Sequence, residues 1–220
     1  MLGVMFASTR PWTAATTAVV TALALAGLYL AVVGTSTGQN VDHELMRWIS
    51  AAFGVENPVE GALGRYQLPM LAVGGVVVAA VVASRRSKTV AVSAALVLFG
   101  TVASAYVLKA LLDRPSFGIG PMLNSFPSNT VAVVAALAVV LVGSAARPYR
   151  SLAVLLAASA GFVVSVLVVA QQWHRPGDVL GAWLVAVLAA AVVRVGQAAW
   201  AWTSDVEGSL TGGQTAAHRG

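Results

Sequence analysis

The stretch 171–178, Gln-Gln-Trp-His-Arg-Pro-Gly-Asp, lies between two long apolar runs, 151–172 and 178–200. Polar and ionisable side chains are costly at a membrane boundary, so a histidine and an aspartate in that position indicate a functional site. His174 and Asp178 are four residues apart, and a carboxylate beside an imidazole fixes its tautomer and orientation. The stretch therefore predicts a loop between two membrane helices that carries a pair of interacting polar groups.

The composition is that of an integral membrane protein. The chain has 220 residues, of which 58% are hydrophobic and 10% are charged, and its mean hydropathy is +0.83. A helix needs about 20 residues to cross a hydrocarbon core of about 30 Å. Six apolar stretches approach or exceed that length and predict an all-α membrane domain over residues 1–202, a bundle of six transmembrane helices. The predicted spans are roughly 12–34, 66–84, 89–112, 129–146, 151–172 and 178–200.

The distribution of basic residues predicts the orientation of this bundle. Most of them fall in tails and loops on one side, which is cytoplasmic by the positive-inside rule. Both termini are then cytoplasmic, and the loops 35–65, 113–128 and 173–177 face outward. The formal net charge of +5 is spread over short loops, so it indicates topology and not nucleic-acid binding. The residues of the cytoplasmic side are Arg10, Arg85, Arg86, Lys88, Arg147, Arg150 and Arg219.

Two further segments lie outside the predicted spans. In the first outer loop, apolar Val41, Leu45 and Trp48 recur at helical spacing, with Asp42 and His43 on the opposite face. This pattern predicts a short amphipathic helix in the outer interface, with its polar face, including His43, in water. The tail 203–220 is polar and rich in Gly, Ser and Thr, which predicts a disordered cytoplasmic segment.

Three polar clusters occur at matching depth on the outer side, at 109–115, 126–130 and 171–178. If the last four spans form a bundle, these clusters converge. Lys109 and Arg114 would supply two cations for an anionic group, and the start of the fourth span adds free backbone N–H groups, which favours phosphate. The chain has no cysteine, so thiolate metal sites are excluded. The hydroxyl and amide donors are Ser128 and Asn129, and further candidates for the pocket are Thr130, Gln171, Gln172 and Arg175.

The clusters resemble the three motifs of the type 2 phosphatidic acid phosphatase superfamily, the lipid phosphate phosphatases related to vanadium-dependent haloperoxidases. Those motifs are a Lys followed by Arg-Pro, then Pro-Ser-Gly-His, then a Ser-Arg followed by a His and an Asp. The resemblance covers roughly residues 12–200. The matching residues here are Lys109 with Arg114-Pro115, then Pro127-Ser128-Asn129-Thr130, then His174 with Asp178.

This resemblance implies an activity and a role for each matching residue. His174 would attack phosphorus to form a phosphohistidine, and Asp178 would orient and charge-balance its ring. The implied enzyme is a hydrolase that needs neither metal nor cofactor. Its substrate would be a lipid phosphate or polyprenyl diphosphate, on the outer face of a bacterial plasma membrane and surrounded by membrane lipids. The implied phosphate ligands are Lys109, Arg114, Ser128 and Asn129.

The sequence departs from the family pattern at three positions. Thr130 replaces the histidine that protonates the leaving group, and a neutral hydroxyl is a poor general acid. Val168 replaces the motif-three arginine, and Arg114 follows Lys109 by five residues where the family has seven. A diphosphate leaving group needs little protonation, so the departures favour a polyprenyl diphosphate over a monoester. The alternative is a catalytically degenerate relative that serves as a lipid-phosphate-binding or assembly subunit.

Overall fold

The computed structural model describes residues 11–53, 62–120 and 124–217. Those ranges contain helices and connecting turns and no strand. In hydrocarbon, backbone N–H and C=O groups have no water to bind, and a helix satisfies them within its own segment. A π-helical turn, Tyr29–Val33, extends the first helix, and a 3-10 turn, Arg147–Tyr149, precedes the sixth. The helices are α1 Pro11–Leu28, α2 Ser36–Ala52, α3 Ala62–Ser84, α4 Lys88–Leu111, α5 Asn129–Ser144, α6 Arg150–Ala170 and α7 Pro176–Ala217.

Four helices are long and apolar enough to cross a membrane, which indicates a membrane protein. Two shorter apolar helices, Leu68–Ser84 within α3 and Asn129–Ser144, lie where the other two spans are predicted. With 16 residues, α5 is about 24 Å long and falls short of a core of about 30 Å. Its length is set by the cap residue Ser128 at one end and by the turn that contains Pro148 at the other. The four longer helical segments are Trp12–Val33, Lys88–Leu111, Arg147–Ala170 and Pro176–Thr203.

The short helix α5 lies at the centre of the bundle, in contact with α3, α4, α6 and α7. Small side chains on its surface let the neighbouring backbones approach closely, as is typical of packed membrane helices. Around it, α1 packs along α7, and α2 lies against α6 and α7 near the turn that joins them. The buried residues of α5 are Val131, Ala132, Ala135, Ala136, Val140, Gly143 and Ser144.

The amphipathic helix predicted in the first outer loop is present as α2, but the side of it that packs against the protein carries polar residues. Gln39, Asp42 and Ser50 are buried, whereas Val41 and Trp48 are 62% and 69% exposed. These polar side chains form hydrogen bonds with neighbouring parts of the protein, where an exposed side chain would bind water instead. The apolar side chains are left on the outer surface of the molecule, where lipid would cover them.

The last helix extends further than the sequence pattern predicts. α7 continues to Ala217, through most of the tail 203–220 for which the composition predicts disorder. The chain has no proline after Pro176, so no residue removes a backbone donor from the helix or forces it to end. Residues 218–220 lie outside the described residues, as do Arg10 and Arg219 of the predicted charge pattern.

One end of the bundle is polar. The end of α4, the start of α5, the end of α6 and the start of α7 meet there, because consecutive helices run in opposite directions. The end of α1 joins them through the Tyr29 hydroxyl, which donates to the backbone carbonyl of Asp113 at 2.6 Å. The basic turns that join α3 to α4 and α5 to α6 lie at the opposite ends of the same helices. All three polar clusters of the sequence therefore belong to one region.

Candidate functional site

Asp178 is fully buried in the first turn of α7. One of its oxygens accepts a hydrogen bond from Arg114 Nη2 at 2.5 Å. The other carboxylate oxygen accepts hydrogen bonds from Ser125 Oγ at 2.6 Å and from the backbone N–H of Arg175 at 3.0 Å. In addition, the backbone carbonyl of Asp178 accepts a hydrogen bond from the N–H of Ser128. Partners of this kind offset the desolvation of a buried carboxylate, which costs several kcal/mol. Asp178 thus joins the starts of α5 and α7 to the loop that follows α4.

His174 lies in the turn before α7, and its Nδ1 is 3.6 Å from Asp178 Oδ2. That separation is within reach of an ion pair but longer than a hydrogen bond. The His174 side chain is 14% exposed, whereas the Asp178 side chain is 0% exposed. When Nδ1 carries the imidazole proton and faces a carboxylate, Nε2 keeps a lone pair. His174 is therefore the more accessible partner, and the buried carboxylate faces one side of its ring.

Arg114 is buried beside Asp178, with 2% of its side chain exposed. Nη2 is bound to the carboxylate, and Nε and Nη1 are buried without a hydrogen-bond partner in the part of the chain that the structure describes. Arg114 also lines a small cavity of about 10 Å³, together with Gln39 and the segment 115–120. A space of that size is close to the minimum for one water molecule and is far too small for a phosphate group. Arg114 is thus occupied by Asp178 on one side and covered by a loop on the other.

The other predicted phosphate ligands lie around this pair. Lys109, in the last turn of α4, is partly buried and close enough to Asp178 for their charges to interact. Ser128 is the N-cap of α5, and its Oγ accepts from the Val131 N–H at 3.3 Å, which leaves the hydroxyl hydrogen as a donor. Asn129 has a buried Oδ1 with no partner among the described residues. Thr130 is partly buried in the first turn of α5.

The remaining pocket candidates belong to the turn between α6 and α7. Gln171 is buried, and its Oε1 has no partner within the described ranges. Gln172 adopts a left-handed backbone with φ of 57° and donates from Nε2 to Ser50 Oγ at 3.0 Å. Arg175 is buried and donates from Nη2 to the backbone carbonyl of Ile119 at 2.7 Å. Gln172 and Arg175 therefore bind the surrounding elements, and only Gln171 keeps a buried polar atom available.

Three polar residues of the site are absent from the sequence-based pocket. Ser125 binds Asp178 directly, Gln39 donates to the Pro115 carbonyl at 2.8 Å, and Asp42 accepts from the Gly177 N–H at 2.8 Å. Gln39 and Asp42 share one face of α2. Polar residues that recur at helical spacing indicated that face of the helix. The same pattern does not predict whether the face packs against the protein or is exposed.

Burial also changes the charge states of the groups next to the turn. The pKa of Asp42 is raised to about 6, chiefly by burial and further by the nearby charge of Asp178. The hydrogen bond from Gly177 and the charges of Arg114 and Arg175 lower this pKa, but by less than burial raises it. Burial and the adjacent guanidinium of Arg175 lower the pKa of His43. The pKa of Arg175 is itself lowered by burial and by Arg114. His43 is partly buried, contrary to its predicted exposure, and approaches Gly120 and Arg175.

The described residues contain no group of three or more His, Asp or Glu that could hold a metal ion. No protein-family model matches the chain, and neither a curated protein nor a solved structure matches it. Its function is therefore inferred from the residues of this site and their geometry. What they assemble is an accessible imidazole, a buried carboxylate facing it, and two cations within reach of the same carboxylate.

Proposed function

We propose that this chain is a metal-independent phosphatase that hydrolyses a polyprenyl diphosphate or a related lipid phosphate. The observation that carries the proposal is the arrangement of His174 around Asp178, with Nδ1 3.6 Å from Oδ2 and the ring partly exposed. A positioned carboxylate that orients an imidazole is the arrangement that activates a histidine. Lys109 and Arg114 beside the pair supply positive charge for an anionic substrate.

In the proposed reaction His174 Nε2 uses its lone pair to attack the terminal phosphorus. A nitrogen–phosphorus bond forms, the bridging phosphorus–oxygen bond breaks, and its electron pair leaves with the lipid monophosphate. Water then attacks the phosphohistidine, and the electrons of the breaking nitrogen–phosphorus bond return to Nε2. One proton of that water stays on the released phosphate and the other passes to solvent. Asp178 stabilises the positive charge that the ring carries between the two steps.

Thr130 is the reason for favouring a diphosphate. A general acid contributes about 10²–10⁴-fold when the leaving group is a strong base. The alkoxide of a monoester is such a base, whereas the phosphate that leaves from a diphosphate is stable without an added proton. A site with a threonine at the first turn of α5 is therefore better suited to an anhydride bond.

An open groove along the bundle supports a lipid with a long chain. The groove has a volume of about 1450 Å³ and lies between α4 and α7, from Thr89 near one end to Leu108 beside Lys109 at the other. Those residues are 19 apart, so the groove is about 29 Å long, close to the full hydrocarbon thickness. A chain confined to one leaflet reaches only about half that thickness, about 15 Å. The length therefore favours a polyprenyl chain over the acyl chains of phosphatidate.

The proposal includes a topology. All six apolar helices, including the short α5, would cross a bacterial plasma membrane, with both termini in the cytoplasm and the polar end outside. Its support is the position of the basic residues at the end opposite the site. These are Arg85 and Arg86 between α3 and α4, Lys88 at the start of α4, Arg147 in the turn before α6, and Arg150 at the start of α6. Because α5 is enclosed by four other helices, it does not need to match the full bilayer thickness.

Substrate binding also requires a local movement. Arg114 is covered by the segment 115–120, and the cavity of about 10 Å³ between them does not admit a phosphate group. Gly118 and Gly120 both have positive φ, and glycine adopts such backbone without strain. The proposal is that this segment moves away from Arg114 when the diphosphate enters.

The test is phosphate release by the purified protein in detergent, with chelator present, from a polyprenyl diphosphate, its monophosphate and phosphatidate. Turnover should be fastest with the diphosphate and should disappear in His174→Ala. Orthovanadate, a pentavalent phosphate mimic, should inhibit the reaction. Faster hydrolysis of the monophosphate would overturn the preference for anhydrides, and loss of activity on chelation would overturn the metal-independent mechanism.

One observation favours a second candidate, a lipid-phosphate-binding subunit without turnover. Arg114 and Asp178 bind one another in a buried pair, so the charge of Arg114 is already compensated before any phosphate binds. Thr130 and Val168 at the two departing positions agree with such a role. Retained binding of the labelled polyprenyl diphosphate without phosphate release from any of the three lipids would support this candidate.

A further inference from the structure

The inward face of α2 is bonded to the turn that carries His174 and Asp178. Asp42 Oδ1 accepts a hydrogen bond from the backbone N–H of Gly177 at 2.8 Å, and that bond is buried. Gly177 lies directly before Asp178 in the first turn of α7. A single side chain from a helix distant in sequence therefore holds the backbone between the imidazole and the carboxylate.

Gly177 leaves no space between that backbone and Asp42. A Cβ added to Gly177 would lie 2.8 Å from Asp42 Oδ2 and 3.0 Å from Val32 Cγ1. Neither distance is compatible with an undisturbed contact, so the close approach depends on glycine. The turn is thus pressed against the end of α1 and against α2, and Asp42 is the polar group at the contact.

The charges around Asp42 belong to the same site. Asp178 on α7, Arg114 in the loop after α4 and Arg175 in the turn are the ionisable groups that interact with it from neighbouring elements. Asp42 is 5% exposed, and its Oδ2 is buried with no hydrogen-bond partner in the described part of the chain. A buried acidic side chain with one oxygen left without a hydrogen bond is costly for stability, which points to a role in the site.

We propose that Asp42 is a positioning residue that holds the turn 174–178 through the Gly177 amide and so fixes the distance from His174 to Asp178. This inference rests on the proposed phosphatase function. Asp42 acts through the backbone of Gly177 and contacts neither the imidazole nor the phosphate. Its effect is therefore expected on the chemical step and not on substrate binding.

The test compares Asp42→Ala, which removes the acceptor, with Asp42→Asn, which keeps an amide oxygen in the same place. The matched control is Glu44→Gln, which removes a carboxylate from the exposed face of the same helix, 58% exposed in its pair with Arg47. A displacement of about 1 Å at a catalytic group costs about 10²-fold in rate. Asp42→Ala should accordingly lower kcat for the polyprenyl diphosphate by about 10²-fold with KM nearly unchanged, and Asp42→Asn should restore most of kcat.

A second measurement on the same proteins does not depend on turnover. Hydrogen–deuterium exchange of the peptide that contains 171–178 should be faster in Asp42→Ala than in the wild type, and close to wild type in Asp42→Asn and Glu44→Gln. Unchanged exchange in Asp42→Ala would overturn the positioning role, as would a change in KM alone. Faster exchange in Asp42→Ala, together with a wild-type protein that shows no phosphatase activity, would instead overturn the proposed function and leave the structural contact intact.

Discussion

Asp42 and Asp178 are both buried acidic residues, but they differ in what surrounds them. Asp178 accepts hydrogen bonds from Arg114, Ser125 and the Arg175 backbone. Asp42 accepts one, from Gly177, and the structure describes no partner for its second oxygen. Burial therefore dominates at Asp42 and raises its pKa from 3.8 to about 6. Between those two pH values the folded protein holds a proton that the unfolded chain has released.

This difference predicts how stability depends on pH. The folded state binds more protons than the unfolded state between about pH 4 and pH 6, so the contribution of Asp42 to stability falls as the pH rises through that window. A shift of about two pKa units corresponds to about 3 kcal/mol. Thermal unfolding in detergent at pH 4 to 8 should therefore show that the stability of Asp42→Asn relative to the wild type increases as the pH rises from about 4 to about 6. Glu44→Gln should keep the wild-type slope, and an equal slope in Asp42→Asn would contradict the effect of burial.

In the proposed reaction, Thr130 determines which leaving group the site accepts. It occupies the first turn of α5, at the position that the proposed resemblance to the lipid phosphate phosphatases aligns with a histidine. If the missing proton donor limits monoesters, Thr130→His should raise kcat/KM for a polyprenyl monophosphate by about 10²-fold, the lower end of general acid catalysis. The diphosphate should change little, because its leaving group needs no proton. Thr130→Gln, a neutral residue that also extends into the site, is the control, and a similar gain in that variant would point to a steric effect.

One side chain of α7 reaches α6 at a small residue. A Cβ on Gly161 would lie 2.5 Å from the ring of Trp183, so the ring lies against α6 where that helix has no side chain. The Trp183 indole N–H donates to Ser165 Oγ at 3.1 Å, which fixes the ring in this position. This side-chain contact links α6 to α7, which both pack against α5, and the turn of His174 joins the same two helices.

The contact predicts a specific loss of stability. Gly161→Ala should lower the free energy of unfolding by about 1–3 kcal/mol, the usual cost of overpacking. Gly75→Ala in α3 is the matched control, because a Cβ there would meet no described atom within 4 Å, and alanine is the better helix former by about 1 kcal/mol. Thermal unfolding in detergent measures both variants. Equal stability of the two would contradict the close contact at Trp183.

Some elements of the structure could be predicted from the sequence pattern and others could not. The helices of the six apolar stretches were predictable because hydrocarbon permits little else, and the polar end followed from the alternation of helix direction. The inward polar face of α2 was not predictable, since an amphipathic pattern gives two faces but not which of them meets the protein. The buried pair of Arg114 with Asp178 was also missed, because a cation near a phosphate motif is equally suited to substrate and to carboxylate. Whether all six stretches cross the membrane stays a prediction.

In the whole molecule, the site lies at one end of the helix bundle. The groove runs along one side of the same bundle. The polar turn belongs to the ends of α4, α5, α6 and α7, while the groove follows α4 and α7 away from it. Leu108 lines the groove and is the neighbour of Lys109. A lipid whose phosphate is near Lys109 could therefore extend its chain along the groove without crossing the packed interior.

This layout predicts that chain length and groove shape are linked. Gly100 lines the groove midway along α4, and a Cβ there would meet no described atom within 4 Å. Gly100→Phe should lower kcat/KM at least tenfold for a long polyprenyl diphosphate and leave a short prenyl diphosphate nearly unchanged, because only the long chain reaches that depth. Gly75→Phe, outside the groove, is the control. Equal losses for both substrates would show that the chain does not lie in the groove.

In the proposed reaction His174 carries the phosphoryl group. The most direct measurement is a rapid alkaline quench of the protein turning over a polyprenyl diphosphate labelled at its terminal phosphate, followed by mapping of the label. We predict an alkali-stable, acid-labile phosphate on His174 in the wild type and none in His174→Ala. Steady turnover without label on the protein, or with label at another residue, would contradict the account.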